Sequence, residues 1–266
     1  MTGMDWGLSN RLARILKPPH GKTVMLAVDH GYFLGPTSGL EEPAKTIGPL
    51  LPFADSLMVT RGVLRTSVPA TANVPIVLRV SGGTSVLREL SHEGLTVAFE
   101  DAIRLNVSAV TLSIFVGSEG ERQTLLNLAK LVDLGEKYGI PVLAVTAVGK
   151  DMVRDARYLG LCCRIAAEIG ARFVKTYYCE GFAEIARATP VPLIIAGGKK
   201  TAEREAIQLA WNAMHADAAG VDMGRNIFQS DCPVGMIRAI RGVVHDGASV
   251  DAAVQVYEQE KSKGRR

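Results

Sequence analysis

The sequence predicts an α/β protein, a single (βα)8 barrel forming one domain over residues 1–266, and three observations predict it. Eight apolar, β-branched runs recur along the chain, and amphipathic stretches of helical periodicity separate them. The unusual polar residues gather at the ends of these runs, where a barrel carries its functional groups. Strand–helix alternation also suits an open, doubly wound sheet, but eight units favour closure. With 266 residues, 47% apolar and 21% charged, one core is expected.

The first run, TVMLAVDHG (23–31), closes on Asp29 and His30. DSLMVTRG (55–62) and VPIVLRVSGG (74–83) bring Arg61, Arg79 and Ser81 toward strand ends. VSAVTLSIFVGS (107–118) and IPVLAVTAVG (140–149) do the same for Glu119 and Thr146. ARFVKTYY (171–178) carries Lys175 mid-strand, and VPLIIAGG (191–198) and AGVDMGRN (219–226), the latter with Asp222, complete the set. Between them, ERQTLLNLAKLVDLGEKYG sets Leu125, Leu128, Leu131, Val132 and Leu134 near one helical face and ends at Gly139, a C-cap glycine. DMVRDARYLGLCCRIAAEIG also ends in glycine, while PVGMIRAIRGVVHDG starts on Pro233 and repeats Val234, Ile237, Ile240 and Val244 at helical spacing. Lys261, Lys263, Arg265 and Arg266 read as a frayed, solvated tail.

Composition narrows the function. A net charge of +3 without an Arg/Lys-rich block argues against a nucleic-acid surface. The N-terminal segment lacks a charged region followed by an apolar one, and no apolar run reaches bilayer length, so a soluble cytoplasmic protein without a membrane partner is expected. Cys162, Cys163, Cys179 and Cys232 show neither zinc spacing nor a disulfide framework. His20, His92, His215 and His245 lack partners at ligand spacing and read as solvated or capping residues, so no metal site is expected. GKT at 21–23 lacks the earlier glycine of a P-loop, since Leu16 stands there, and no GxGxxG, HExxH, CxxC or GxSxG occurs.

The chemistry concentrates at four places. Gly197, Gly198 and Lys199 after the seventh run, with Gly224 and Arg225 after the eighth, occupy the position where many barrels bind phosphate; alternatively the glycines only turn tight corners. Lys175 inside a strand is costly to bury unpaired. Either it is a partly desolvated amine nucleophile able to form a Schiff base, or it pairs with an inward carboxylate such as Asp29 or Asp222. Asp29 and His30 supply a carboxylate to steer that lysine and an imidazole to move protons, or a turn cap and a surface histidine. Arg61, Arg79, Ser81, Glu119, Thr146 and Asp222 line the pocket or make rim bonds.

Taken in order, AVDHG, FVKTYY, IIAGGKK and GVDMGRNIFQS make nearly the whole chain resemble the class I aldolase superfamily, in the branch of archaeal-type fructose-bisphosphate aldolases. DWGLSNRLARI, TVMLAVDHGYFLGPT, GKDMVRD and GVDMGRNIFQSD are similar to a thiolase group within it that serves autoinducer-2 catabolism. The resemblance implies Lys175 as the catalytic lysine, Asp29 and His30 as its companions, and acetyl transfer from a phosphorylated ketone to coenzyme A. It implies coenzyme A as co-substrate with no tightly bound cofactor, and a ring-based homo-oligomer of five or ten chains. One departure stands out: Ala147, in VTAVGKD, takes the place of the aldolase branch's acid/base tyrosine, which suits an acyl electrophile passed to a thiol. Two alternatives stay open: a Schiff-base aldolase cleaving a phosphorylated sugar such as fructose 1,6-bisphosphate, and a non-catalytic sugar-phosphate-binding barrel.

Overall fold

In the computed structural model, which describes residues 5–149 and 153–264, each of the eight runs contributes one strand. These are β1 (Thr23–Ala27), β2 (Ser56–Thr60), β3 (Ile76–Arg79), β4 (Ala109–Ile114), β5 (Val142–Thr146), β6 (Phe173–Thr176), β7 (Leu193–Ala196) and β8 (Gly220–Met223). All neighbours are parallel, and β8 pairs with β1, so the sheet closes into the (βα)8 barrel. Gly220 makes this closure possible. At φ 136° a side chain is strained, and a Cβ there would lie 2.0 Å from the Thr23 carbonyl oxygen.

Strand alternation divides the apolar residues into layers. Met25, Ala27, Met58, Val77, Ala109, Leu143, Phe173 and Ile194 point inward and pack as one cluster. Leu12, Ile15 and Leu16 join it from below, because the helix Trp6–Ile15 plugs the N-terminal end of the barrel. Two further clusters fill the space between strands and outer helices. A step of two residues along each strand keeps side chains on the inner face, so Asp29, Arg79, Lys175 and Asp222 continue the inward rows above this floor.

The outer helices follow their sequence signals. Glu121–Tyr138 buries Leu128 and Leu131, keeps Leu125, Val132 and Leu134 half-buried at its flanks, and ends at Gly139 with φ 68°. Ala156–Ile169 starts where the Asp155 carboxylate accepts from the Tyr158 N–H at 2.8 Å. The preceding residues 150–152 of GKDMVRD lie outside the described residues. Pro233–Asp246 has proline in its first turn and ends at Gly247.

Two expectations change. The C-terminal segment is a helix, Val250–Lys263, anchored by Ala253 and Tyr257; Lys261 pairs with Asp231 at 2.7 Å and Lys263 with Glu260, while Arg265 and Arg266 lie outside the described residues. His245 is no solvated residue: its Nε2 lies 2.6 Å from the buried Asp55 carboxylate. That carboxylate also accepts from the Val24 N–H at 2.7 Å and from Arg241 Nη1 at 2.9 Å. Burial pushes Asp55 up, but His245, Arg241 and the Val24 N–H outweigh it and hold the carboxyl below its ordinary range. Among the described residues, no helix is long and apolar enough to cross a membrane.

Asp55 ties β1, β2 and the helix Pro233–Asp246 together at the end of the barrel opposite the inward charged residues. Asp55→Ala is expected to lower unfolding free energy by about 2 kcal/mol, since it strands the buried Val24 N–H and unpairs the half-buried Arg241 and His245. Urea denaturation measures this, and substrate turnover at 25 °C should stay near the wild-type value.

Candidate active site

Above the apolar floor the barrel holds two ion pairs. Lys175 Nζ, on β6, lies 2.8 Å from Asp222 Oδ2 on β8, and the Asp222 side chain is fully buried. Arg79 Nε, on β3, donates to Asp29 Oδ2 at 2.9 Å, just past the end of β1, with both side chains almost entirely buried. Burying four charges is tolerable only because each faces its opposite. Met58 Sδ sits between the pairs, 4.0 Å from both Lys175 Nζ and Arg79 Nη2.

The electrostatics give each group a bias. Burial raises the Asp222 carboxyl, and Lys175 only partly counters it. A carboxylate reluctant to stay charged beside an ammonium can take its proton and leave a neutral amine, which is the form that attacks a carbonyl. Burial also pushes Asp29 upward, but Arg79, Lys175 and His30 outweigh it and the carboxyl is held low. Burial lowers His30 to about 4, with Lys175, Arg225 and Arg79 adding to the effect and Asp29 opposing it. His30 is therefore neutral near pH 7, and its Nδ1 is buried without a hydrogen-bond partner among the described residues.

A polar chain continues from Arg79 to the rim. Arg79 Nη1 donates to Ser113 Oγ at 3.0 Å, its guanidinium lies 4.9 Å from the Tyr32 ring centre, and the Tyr32 hydroxyl donates to Glu93 Oε1 at 2.8 Å. Ser81 donates to the other Glu93 oxygen at 2.6 Å. Glu93 adjoins a short antiparallel pair, Ser81–Gly82 with Gly94–Leu95, that folds over the end of β3. Burial weakens the Arg79 hold on its proton, but Tyr32, Asp29 and Glu93 more than restore it, so the guanidinium stays charged.

The two glycine loops meet next to this interior. Asn226 Nδ2 donates to the Gly197 carbonyl at 2.7 Å and the Lys199 carbonyl at 3.2 Å, and its Oδ1 accepts from the Thr201 N–H at 2.9 Å. One side chain thus holds the loop after β7 against the loop after β8. Gly198 has φ 72° with open space where a side chain would be. At Gly224 a Cβ would come within 2.4 Å of both the Ala27 carbonyl oxygen and His30 Cε1, so glycine lets His30 pack against this loop. Arg225 Nε is buried without an acceptor among the described residues, Lys199 is exposed, and Arg154 stacks 3.9 Å over the Tyr177 ring.

The structure thus brings Lys175, Asp29, His30, Arg79, Ser81 and Asp222 together inside the mouth, beside Gly197, Gly198, Gly224 and Arg225. Three expected pocket residues lie elsewhere. Thr146 is one step out of phase with the inward rows and donates outside the barrel to Thr176 at 2.8 Å. Arg61 reaches Asp101 on the rim at 3.0 Å, in company with Arg65 and Arg104. Glu119 is largely exposed and faces His92 at 3.3 Å. The direct partner of Lys175 is Asp222, while Asp29 is engaged by Arg79. The Asn226 clamp and the Tyr32–Glu93 link carried no sequence signal beyond their motifs, because both depend on loops far apart in the chain.

A model of the DeoC/LacD family of aldolases matches residues 23–230, a span that includes all eight strands. The chain belongs to this aldolase family. Relatives named 3-hydroxy-5-phosphonooxypentane-2,4-dione thiolase include one from Klebsiella pneumoniae, 56% identical over 97% of this chain and 88% of the relative. Another, from Escherichia coli K12, is 55% identical over 97% and 89%. Among solved structures, an archaeal fructose 1,6-bisphosphate aldolase superposes with a TM-score of 0.80 at 26% identity, covering 90% of this chain and all of the other. A further structure of an archaeal fructose-1,6-bisphosphate aldolase, with the catalytic Lys covalently bound to the carbinolamine intermediate, gives 0.81 at 25% identity over 89% of this chain and 99% of that one.

For this aldolase-family chain the His30 environment has a measurable consequence. Unfolded histidine takes up a proton as pH falls through about 6.5, whereas folded His30 resists until about 4, so acid progressively favours the unfolded state across that window. The full effect is about 3 kcal/mol. Urea unfolding of wild type and His30→Asn at pH 7, 5.5 and 4 should show wild type losing more stability than the variant as pH drops. Parallel losses in both proteins would contradict the assignment.

Proposed function

We propose that this chain is a 3-hydroxy-5-phosphonooxypentane-2,4-dione thiolase that moves the acetyl group of that dione to coenzyme A, giving acetyl-CoA and dihydroxyacetone phosphate. One observation carries the reading: Lys175 is held inside the barrel mouth against a buried carboxylate, in a chain 56% identical to a relative of that name. Coenzyme A acts as a second substrate rather than a resident cofactor.

The residues divide the work. Asp222 takes the Lys175 proton, and the amine attacks the ketone nearer the phosphate to form an imine. Thiolate addition to the acetyl carbonyl then lets the carbon–carbon bond break, its electron pair passing into the iminium to give an enamine. His30, neutral near pH 7, relays the proton from the thiol toward the enamine carbon. Hydrolysis of the imine releases dihydroxyacetone phosphate. Asp29 holds charge balance beside Lys175 through Arg79. The phosphate is received at Gly197, Gly198 and Gly224, with Arg225 and the exposed Lys199 supplying charge.

Ala147 supports thiolysis over aldol cleavage, since it brings no phenolic proton donor to the end of β5. Sequence resemblance further suggests a cytoplasmic homo-oligomer of five or ten chains, which light scattering would measure.

Incubation of the phosphorylated dione with enzyme should yield both products only when coenzyme A is present, and Lys175→Ala should lower turnover by about three orders of magnitude or more. Borohydride should trap an adduct on wild type and none on the variant. Cleavage without coenzyme A would replace this reading with an aldolase.

A further inference from the structure

We propose that Arg79 is a catalytic residue whose terminal N–H groups receive the oxygen of the acetyl carbonyl and hold the negative charge that forms there. The inference rests on the reading that Lys175 forms an imine at the other carbonyl of the same substrate.

A guanidinium carries five N–H groups. In Arg79 the Nε group is taken by Asp29, one Nη1 group by Ser113, and one Nη2 group faces Met58 Sδ at 4.0 Å. One N–H on each terminal nitrogen therefore has no protein acceptor among the described residues. The fork is fixed rather than mobile: Asp29 and Ser113 pin two of its corners, the Tyr32 ring lies 4.9 Å from Cζ, and the residue is only 5% exposed. A buried, oriented cation with unused donors is more than an ion pair with Asp29 requires.

Its placement matches the substrate. Lys175 Nζ and Arg79 Nη2 each lie 4.0 Å from the same sulfur, so the two nitrogens are at most twice that distance apart. An imine at one carbonyl of a 1,3-dicarbonyl compound puts the oxygen of the other about 3 to 5 Å from the imine nitrogen, depending on rotation about the two carbon–carbon bonds. A hydrogen bond of about 3 Å to that oxygen completes the span. Lys175 and Arg79 can thus hold the two carbonyls of one dione at the same time.

The chemistry needs both. Lys175 accepts the electrons released when the carbon–carbon bond breaks, but it does nothing for the carbonyl under attack. As the thiol gives its proton to His30, the sulfur electron pair forms the new bond to carbon and the carbonyl electron pair moves onto oxygen. In a water-poor interior that oxyanion is costly unless a fixed donor meets it. When the pair returns to re-form the carbonyl, the carbon–carbon bond breaks, its electrons reach the imine nitrogen, and the proton on His30 passes to the carbon left behind. A monoketone forms the imine with Lys175 but offers no second oxygen to Arg79.

That difference supplies the test. Arg79→Gln and Arg79→Lys would be assayed two ways: acetyl-CoA formation from the phosphorylated dione, and borohydride trapping of dihydroxyacetone phosphate on Lys175, read by mass spectrometry. The expected result is a loss of roughly 100- to 1,000-fold in thiolysis for Arg79→Gln. Arg79→Lys should fall between, because it keeps the charge and loses the fork. Trapping should persist within a few-fold in at least one variant, which also shows that its site is folded. Thiolysis that stays near wild type, or trapping lost together with thiolysis in both variants, overturns the proposal. Wild-type enzyme that traps the phosphate ester yet makes no acetyl-CoA would instead sink the thiolase reading, and this one with it.

Discussion

Everything at the mouth of this barrel depends on the balance of two buried ion pairs, Lys175–Asp222 and Arg79–Asp29. Four charges removed from water are stable only while each keeps its partner. The barrel meets this condition by geometry. Strands that rise in parallel place residues from β1, β3, β6 and β8 at neighbouring heights, so four separate segments deliver one compact charge cluster. The apolar layer beneath keeps water from entering below, and this raises both the strength of the pairs and the cost of separating them.

The same balance sets the state of the neutral groups around it. Burial above all, with Lys175, Arg225 and Arg79 adding to it, keeps His30 unprotonated near pH 7. Asp222 is the weak point of the cluster, since full burial raises its proton affinity next to the one lysine in the barrel strands. A site of this kind moves protons over short distances between groups already in contact. Asn226 extends the order outward, because it fixes the loops after β7 and β8 to each other and thereby fixes the height of any anion bound there relative to Lys175.

Much of this was legible in the sequence. Eight β-branched runs separated by amphipathic stretches gave the barrel, and a lysine within ARFVKTYY marked its interior because an unpaired ammonium has no place in a strand. What escaped were properties of register. Whether Thr146 faces in or out depends on a single step of alternation, and its neighbour Val145, not Thr146, shares the inward row with Leu143. Choosing Asp222 over Asp29 as the lysine's partner required knowing how β6 and β8 stagger around the closed sheet. Arg61 and Glu119 sit near strand ends, as expected, but beyond those ends the chain turns toward the helices, and each finds a partner on the outer rim. The helix Trp6–Ile15 carries only three inward apolar residues and precedes the first strand, so no repeat pattern announced it.

That helix also bears on how the chain assembles during synthesis. Leu12, Ile15 and Leu16 emerge before any strand, yet their resting place is built from Met25, Met58, Val77, Ala109, Leu143, Phe173 and Ile194, which span β1 to β7. These residues therefore wait, without their proper neighbours, until Ile194 of β7 has been made. The seating of this helix reports that the ring above it is nearly complete, which makes the floor of the barrel a late-forming part of the fold although its plug precedes every barrel strand.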